Sequence, residues 1–204
     1  MLYVFAILGS YLLGSIPFGY LAGRFAGIDI REQGSGNIGA TNVVRVLGKK
    51  YGYLVFFGDA LKGLLAVRLA LWLGNDNALR SHLLGIVAAI SVVVGHSFSI
   101  WLRFRGGKGV ASSAGACFGL MPVPTLFVSV IWVAVFYSFR FVSLASIAGA
   151  IALPLTVWAL SRHRNSPDYA LLAFSTVIAA LVIWRHRDNI VRLTKGTEPR
   201  FKRR

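Results

Sequence analysis

A single cysteine, Cys117, stands among 204 residues. The chain therefore has no second thiol for a disulfide and no set of thiols for a zinc site. Charge is scarce as well: Asp, Glu, Lys and Arg make up 14% of the residues, against about a quarter in soluble domains. No basic segment precedes the first apolar run, and that run is longer than a signal-peptide core, so a retained spanning helix is expected there. Ten-residue stretches of alternating polarity are missing too, which removes a transmembrane barrel.

Apolar residues fill the space: 56% of the chain is hydrophobic and its mean hydropathy is +0.66. A bilayer core of about 30 Å takes about 20 apolar residues in a helix. Seven runs approach that length, over 2–23, 51–74, 79–101, 110–121, 122–139, 142–161 and 169–184. The division between the short fourth run and the fifth rests on Pro122 and Pro124. The fold expected is all-α, a polytopic membrane protein of seven transmembrane helices forming one domain over 1–204.

The formal charge of +15 invites a nucleic-acid reading, but the basic residues sit in short segments between apolar runs, so no nucleic-acid partner is expected. Of the 22 Lys and Arg residues, seventeen lie after the first, third and fifth runs or in the tail from Arg185, and three (Arg80, Arg162 and Arg164) lie on the opposite side. The positive-inside rule then puts the C-terminus in the cytoplasm and the N-terminus outside, in the periplasm. An odd number of spans satisfies both counts.

Chemistry is concentrated in the basic segments. The segment 29–50, DIREQGSGNIGATNVVRVLGKK, contains G-x-G-x-x-G at Gly34, Gly36 and Gly39. A dinucleotide site needs that pattern after a strand inside a βαβ unit, and a membrane helix precedes it here. Convergent amides suited to a phosphate survive that exclusion, with Thr41, Asn42 and Arg45 sharing one helical face. The competing reading is an interfacial helix with snorkelling basic residues.

After the third run comes GHSFSIWLRFRGGKGVASSAG, with Gly106, Gly107, Lys108 and Gly109 just before a helix. Walker A spacing fails, and Gly109 stands where Ser or Thr would hold magnesium. A lysine among glycines at a helix start still favours an anion; a plain basic turn is the alternative. A structural hydrogen bond is favoured for His96. Ser143 and Ser146, at i and i+3, suit either packing or ligand contact. Asp59 and Lys62, also i and i+3, are read as an ion pair inside the second run. In the tail His186, Asn189 and Leu193 share a helical face that Gly196 can end. An HRNSPD stretch at 163–168 matches the H-x4-D dyad of a large acyltransferase superfamily, but it falls on the outer side and is taken as coincidence.

Three segments together, GSGNIGATNVVR (34–45), GHSFSIWLRFRGGKGVAS (95–112) and RHRDNIVRLTKGTE (185–198), resemble the bacterial acyl-phosphate glycerol-3-phosphate acyltransferase family of the inner membrane. The family usually has proline at Ser99, lysine at Arg105 and threonine at Ser112. The resemblance implies a seven-helix enzyme, its signature loops on the cytoplasmic side, making lysophosphatidic acid from acyl phosphate and glycerol 3-phosphate. It implies catalytic roles for Lys108, His186 and Asn189. Substrate contacts are implied for Ser35, Gly36, Asn37, Gly39, Thr41, Asn42, Arg45, Gly106, Gly107, Gly109, Ser143, Ser146 and Glu198. Within that set Lys108, its glycines and Ser35 meet phosphate, while Thr41, Arg45, His186 and Asn189 hold glycerol 3-phosphate; which loop takes which phosphate stays open. No cofactor or metal is implied. Without a nucleophile facing the cytoplasm, direct attack by the glycerol hydroxyl is expected, with a substrate phosphate preferred to His186 as proton acceptor. A transporter of a phosphorylated metabolite is the rival reading.

Overall fold

The computed structural model describes residues 1–163 and 168–201. Arg164, the interior of the 163–168 stretch and the tail residues Lys202, Arg203 and Arg204 lie outside the described residues. Everything regular among the described residues is helical, and the chain divides into two compact units, Met1–Leu120 and Met121–Arg204.

The first unit opens with α1 (Leu2–Ser15) and α2 (Phe18–Phe25), followed by a short 3₁₀ turn, α3 (Ala40–Leu47), α4 (Lys49–Leu73), α5 (Ala78–Ser97), a second 3₁₀ turn and α6 (Val110–Leu120). One continuous helix over 2–23 is the sequence expectation; the structure breaks it at Ile16 and Pro17. Pro17 has no N–H to continue the ladder, and Ile16 leaves the helical region with ψ 114°. The two carbonyls freed there are captured by side chains: Ser99 Oγ donates to Ser15 O at 2.6 Å, and Lys62 Nζ donates to Ile16 O at 2.8 Å. Unsatisfied carbonyls inside a bilayer would each cost several kcal/mol (about that scale in hydrocarbon), so these contacts are what permits the break.

Helix packing in this unit relies on missing side chains. A Cβ on Gly115 of α6 would sit 1.8 Å from Ala60 O of α4, and one on Gly63 of α4 would sit 2.2 Å from Ser112 O of α6. Backbones thus approach to direct contact, the way membrane helices gain dispersion energy where water exclusion contributes little. A small apolar core of Ile30, Ile38, Val43, Val55 and Leu102 fastens the 29–47 segment to α4 and to the second 3₁₀ turn.

The second unit comprises α7 (Pro122–Phe139), α8 (Val142–His163), α9 (Tyr169–Arg185) and α10 (Arg187–Thr194). Pro122 starts α7 and holds Met121 out of the helical region, so the expected division between the fourth and fifth runs is real. α9 and α10 meet at a 59° bend centred on His186. Gly196, at φ +69°, ends α10 in a Schellman motif: its N–H donates to Leu193 O, and that of Thr197 to Arg192 O.

Helices occupy all seven apolar runs. Four stretches are long and apolar enough to cross a membrane, namely Leu2–Phe25, Ala78–Leu102, Pro122–Phe139 and Val142–His163, and a fifth if α9 and α10 count as one bent span. α4 is 25 residues long, about 37 Å at 1.5 Å per residue, but carries Asp59, Lys62 and Arg68. α6, at 11 residues, reaches only about 16 Å. Outward-facing Phe57, Trp72, Val130 and Leu155 are all more than half exposed in the isolated chain, as a lipid-facing surface requires.

The α4–α6 contact gives a direct test. Gly115→Val should overpack the interface by about 1–3 kcal/mol or more, lowering the unfolding temperature in detergent, whereas the same substitution at Gly9, which has open space around it, should leave that temperature unchanged.

Candidate active site

In the first unit two loops are built on different supports. The 33–42 loop turns on Gly34 and Gly36, at φ +59° and +68°, a backbone region where a side chain is strained. Asn42, from α3, holds it shut: Oδ1 accepts the Ser35 N–H at 2.9 Å, while Nδ2 donates to Gln33 O at 3.0 Å and Ile30 O at 3.3 Å. At 1% exposure Asn42 turns its whole amide to the protein's own backbone, so its observed part is to shape the loop on which it was expected to bind substrate. Asn37 behaves alike, accepting the Gly39 N–H at 2.8 Å just before α3 begins. Ser35 and Arg45 are exposed, with Thr41 half-buried between them in sequence. Arg31 is committed elsewhere. Its guanidinium grips Asp29 at 2.5–3.2 Å and lies over Tyr20, and its hydrogen bonds pull the Asp29 carboxyl down to about 2.

The 103–109 loop is tied to the end of α5. Gly106 N–H donates to Ser97 O at 3.1 Å and Gly107 N–H to His96 O at 3.0 Å. Arg103 and Phe104 both take positive φ, 52° and 61°, unusual for residues with side chains. The chain then enters α6 through Gly109 at φ +82°, bringing the first amides of the helix, which have no partner within it, next to Lys108. Around this helix start three hydroxyls are buried with no hydrogen-bond partner among the described residues: Ser97, Ser112 and Ser113. The Cβ position of Gly109 lies 3.2 Å from Ser97 Oγ and 3.8 Å from Ser113 Oγ. Buried polar groups are nearly always satisfied, so this cluster, with a half-buried lysine and helix-start amides, has the makings of an anion cradle. Ser97 and Ser113 had not been singled out; the signal was a small polar residue on each side of the glycines, indistinguishable in sequence from helix-packing serines.

Ser99 has φ −62°, which a proline can adopt, so the departure from the family pattern is accommodated by the backbone and adds the bond to Ser15 O.

The second unit organises its polar groups around Glu198. Its Oε1 accepts from Asn189 Nδ2 at 2.6 Å and from Ser143 Oγ at 2.7 Å, and its Oε2 accepts from Arg192 Nε at 2.7 Å. Burial pushes the Glu198 carboxyl up, but those three donors outweigh it and leave the group below the usual range. Glu198 thus holds Asn189 and Ser143 in place, and the segment after it continues to Phe201, whose N–H donates to Arg140 O. Ser146 donates to Val142 O and accepts from Trp132 Nε1, a packing role rather than one shared with Ser143. His186 is 3% exposed at the α9–α10 bend, its Nδ1 2.7 Å from Val182 O. That contact puts the proton on Nδ1 in the neutral ring and makes Nε2 the basic nitrogen. Cys117 is buried inside α6, and among the described residues no three His, Cys, Asp or Glu side chains gather as a metal site.

A family model described as glycerol-3-phosphate acyltransferase matches residues 4–196. The chain belongs to the glycerol-3-phosphate acyltransferase family. It is 47% identical to a glycerol-3-phosphate acyltransferase of Desulforamulus reducens, over 96% of this chain and 93% of the relative, and 42% identical to one of Aquifex aeolicus, over 97% and 98%. Its fold superposes on the crystal structure of PlsY (YgiH), an integral membrane glycerol 3-phosphate acyltransferase, with TM-scores of 0.89 for the glycerol 3-phosphate form and 0.86 for the lysophosphatidic acid form. Identities are 41% and 40%, each over 98% of this chain and 96% and 95% of the solved ones. As a family member the chain is a membrane-bound acyltransferase, an enzyme of phospholipid biosynthesis.

The Glu198 cluster predicts two outcomes. Glu198→Ala strips the acceptor from Ser143 and Asn189, both 5% exposed, and should cost about 1–3 kcal/mol, read as a lower unfolding temperature and faster proteolysis after Lys195. Because the folded carboxyl lies below its unfolded value of about 4.3, its stabilisation is complete above that pH and is lost as the pH falls through the lower folded value. Hydrogen-exchange protection of the amides in 195–201, corrected for the intrinsic pH dependence of exchange, should therefore fall on acidification in wild type and stay constant over that window in Glu198→Gln.

Proposed function

We propose that the chain transfers a fatty acyl group from acyl phosphate to the sn-1 hydroxyl of glycerol 3-phosphate, releasing lysophosphatidic acid and inorganic phosphate. The reading places it in the bacterial inner membrane as one seven-span domain, N-terminus outside, with its loops at the cytoplasmic face. The observation that carries it is the anion cradle at the start of α6: a donor activated by phosphate needs amides, hydroxyls and a cation more than a nucleophile. Family membership and the ligand states of the solved relatives support the acceptor and product.

Acyl phosphate is a mixed anhydride. The glycerol hydroxyl oxygen attacks the acyl carbon, the bond from that carbon to the phosphate oxygen breaks, and the electron pair leaves with inorganic phosphate. Lys108 and the first amides of α6, with Ser35, screen the departing phosphate. Thr41 and Arg45 hold the phosphate of glycerol 3-phosphate. Its hydroxyl proton passes to a substrate phosphate oxygen. With Cys117 enclosed in α6, no thiol acyl-enzyme intervenes. Each CH₂ of the acyl chain contributes about 0.8 kcal/mol when buried in lipid, and an open apolar groove of ≈ 550 Å³ between α2 and α4, lined by Phe18, Leu21, Leu54 and Val55 among others, offers it a path.

A broken first helix beside a buried Asp59–Lys62 pair also suits a transporter of phosphorylated metabolites. Phosphate release by purified protein from acyl phosphate, dependent on glycerol 3-phosphate, decides for the enzyme; uptake into vesicles without release decides for the rival. Lys108→Ala should lower kcat by about 10²–10³-fold in protein that still inserts and folds, and a wild-type rate would refute its role. Arg45→Ala should raise the KM for glycerol 3-phosphate by about 10–100-fold, the loss of one charged hydrogen bond, while an unchanged KM would remove it from the acceptor site.

A further inference from the structure

Away from the loops, the first unit buries three titratable side chains together: Asp59 and Lys62 of α4 and His96 of α5, exposed by 2%, 2% and 4%. Such groups are costly inside a membrane helix bundle and persist where they are paired or used. Lys62 explains its own presence by donating to Ile16 O at the α1–α2 break, and Asp59 Oδ1 neutralises it at 2.7 Å.

His96 is not needed for that neutralisation, yet it reaches the same oxygen. Its Nδ1 lies 3.3 Å from Asp59 Oδ1 and finds no hydrogen-bond partner elsewhere among the described residues. The far edge of the ring abuts the glycine loop: a Cβ on Gly107 would stand 2.2 Å from His96 Nε2. Main-chain contacts run in the same direction, from Gly107 N–H to His96 O and from Gly106 N–H to Ser97 O. An unbroken line of contact therefore leads from a buried carboxylate through an imidazole to the backbone of the 106–109 loop.

We propose that Asp59 is a positioning residue for the transfer reaction: by holding the His96 ring, it sets the depth and tilt of Gly107, and with it the placement of Lys108 and the α6 amides on the phosphate. The Asp59 carboxylate takes the Nδ1–H of His96, and that bond fixes the ring plane. Nε2 then forms a rigid floor beneath Gly107, which glycine alone can approach so closely. This role rests on the reading of the 106–109 loop as the site of the donor phosphate. It differs from a purely structural ion pair, because Lys62 and Ile16 would keep their contact without the imidazole.

The test uses purified full-length protein and two substitutions at His96. Alanine removes the link. Asparagine keeps a donor near the Nδ1 position. His96→Ala should raise the KM for acyl phosphate, and the inhibition constant of inorganic phosphate with it, by about tenfold, the scale of small displacements within a catalytic site. The KM for glycerol 3-phosphate should stay within about threefold, a split that general loosening does not produce. His96→Asn should bring both constants most of the way back, and Asp59→Asn should reproduce the alanine pattern. Unchanged constants in His96→Ala would overturn the proposal, as would equal losses for both substrates in step with a lower unfolding temperature, or an asparagine variant as impaired as the alanine one. Calorimetric binding of inorganic phosphate separates this claim from the donor assignment. Wild type that binds phosphate but ignores acyl phosphate overturns the donor alone, and the same tenfold weakening in His96→Ala then upholds the positioning role. Wild type that does not bind phosphate overturns both.

Discussion

A carbonyl facing hydrocarbon has to find a donor within the protein, and that requirement at Ser15 and Ile16 organises much of the first unit. Pro17 ends α1 in the middle of an apolar stretch, and the two orphaned oxygens are met from different parts of the chain, by Ser99 Oγ and by Lys62 Nζ. A lysine brought inside to serve a carbonyl brings a charge, and the charge requires Asp59. The polar cluster in α4 is thus a consequence of the broken helix. Its position matters because α2, which follows the break, presses Gly19 onto Ile38 O of the 33–42 loop, while Ser99 anchors the turn that leads to the 103–109 loop. Both glycine loops of this unit are fastened to the same break.

The loops themselves divide their residues between shape and charge. Asn42 and Asn37 spend their amides on backbone, and Glu198 in the second unit spends its carboxylate on Asn189, Ser143 and Arg192. The other polar residues of the two first-unit loops include cations and neutral donors: Ser35, Thr41, Arg45 and Lys108. This economy suits chemistry between two phosphate-bearing reactants, in which fixed donors act by preorganisation and each additional flexible side chain would have to be ordered at an entropic cost.

What could be read from the sequence follows the range of the interaction. The Pro122 boundary and the Gly196 stop depend on residues one to five positions away, and both are where the local pattern puts them. The Asp59–Lys62 pair, at i and i+3, was equally legible. Ile16–Pro17 was a local signal given too little weight, because Leu2–Phe25 still satisfies the length and hydropathy of one span. By contrast, the partners of Glu198 include Ser143, 55 residues earlier, and those of Asn42 include Ile30, so the bonds by which these side chains hold backbone and neighbours could not be read from their motifs. Conservation of polarity in a motif cannot separate these uses; only the direction of the side chain does. The three unpartnered serines were hidden for the opposite reason, since small residues beside membrane glycines ordinarily signal packing.

The orientation of His186 decides which of its nitrogens can take a proton. With Nδ1–H directed to Val182 O, the basic Nε2 is fixed by the α9–α10 bend and needs no carboxylate to select its tautomer. Glu198, the nearest acidic residue in sequence after Asp188, is already divided among three donors. An anhydride with phosphate as its leaving group asks for little activation of the attacking hydroxyl, so a modest base, or a phosphate oxygen of the substrate, is sufficient. An unactivated ester or amide would demand more of its base, so the donors gathered at the start of α6 accord with the proposed acyl phosphate.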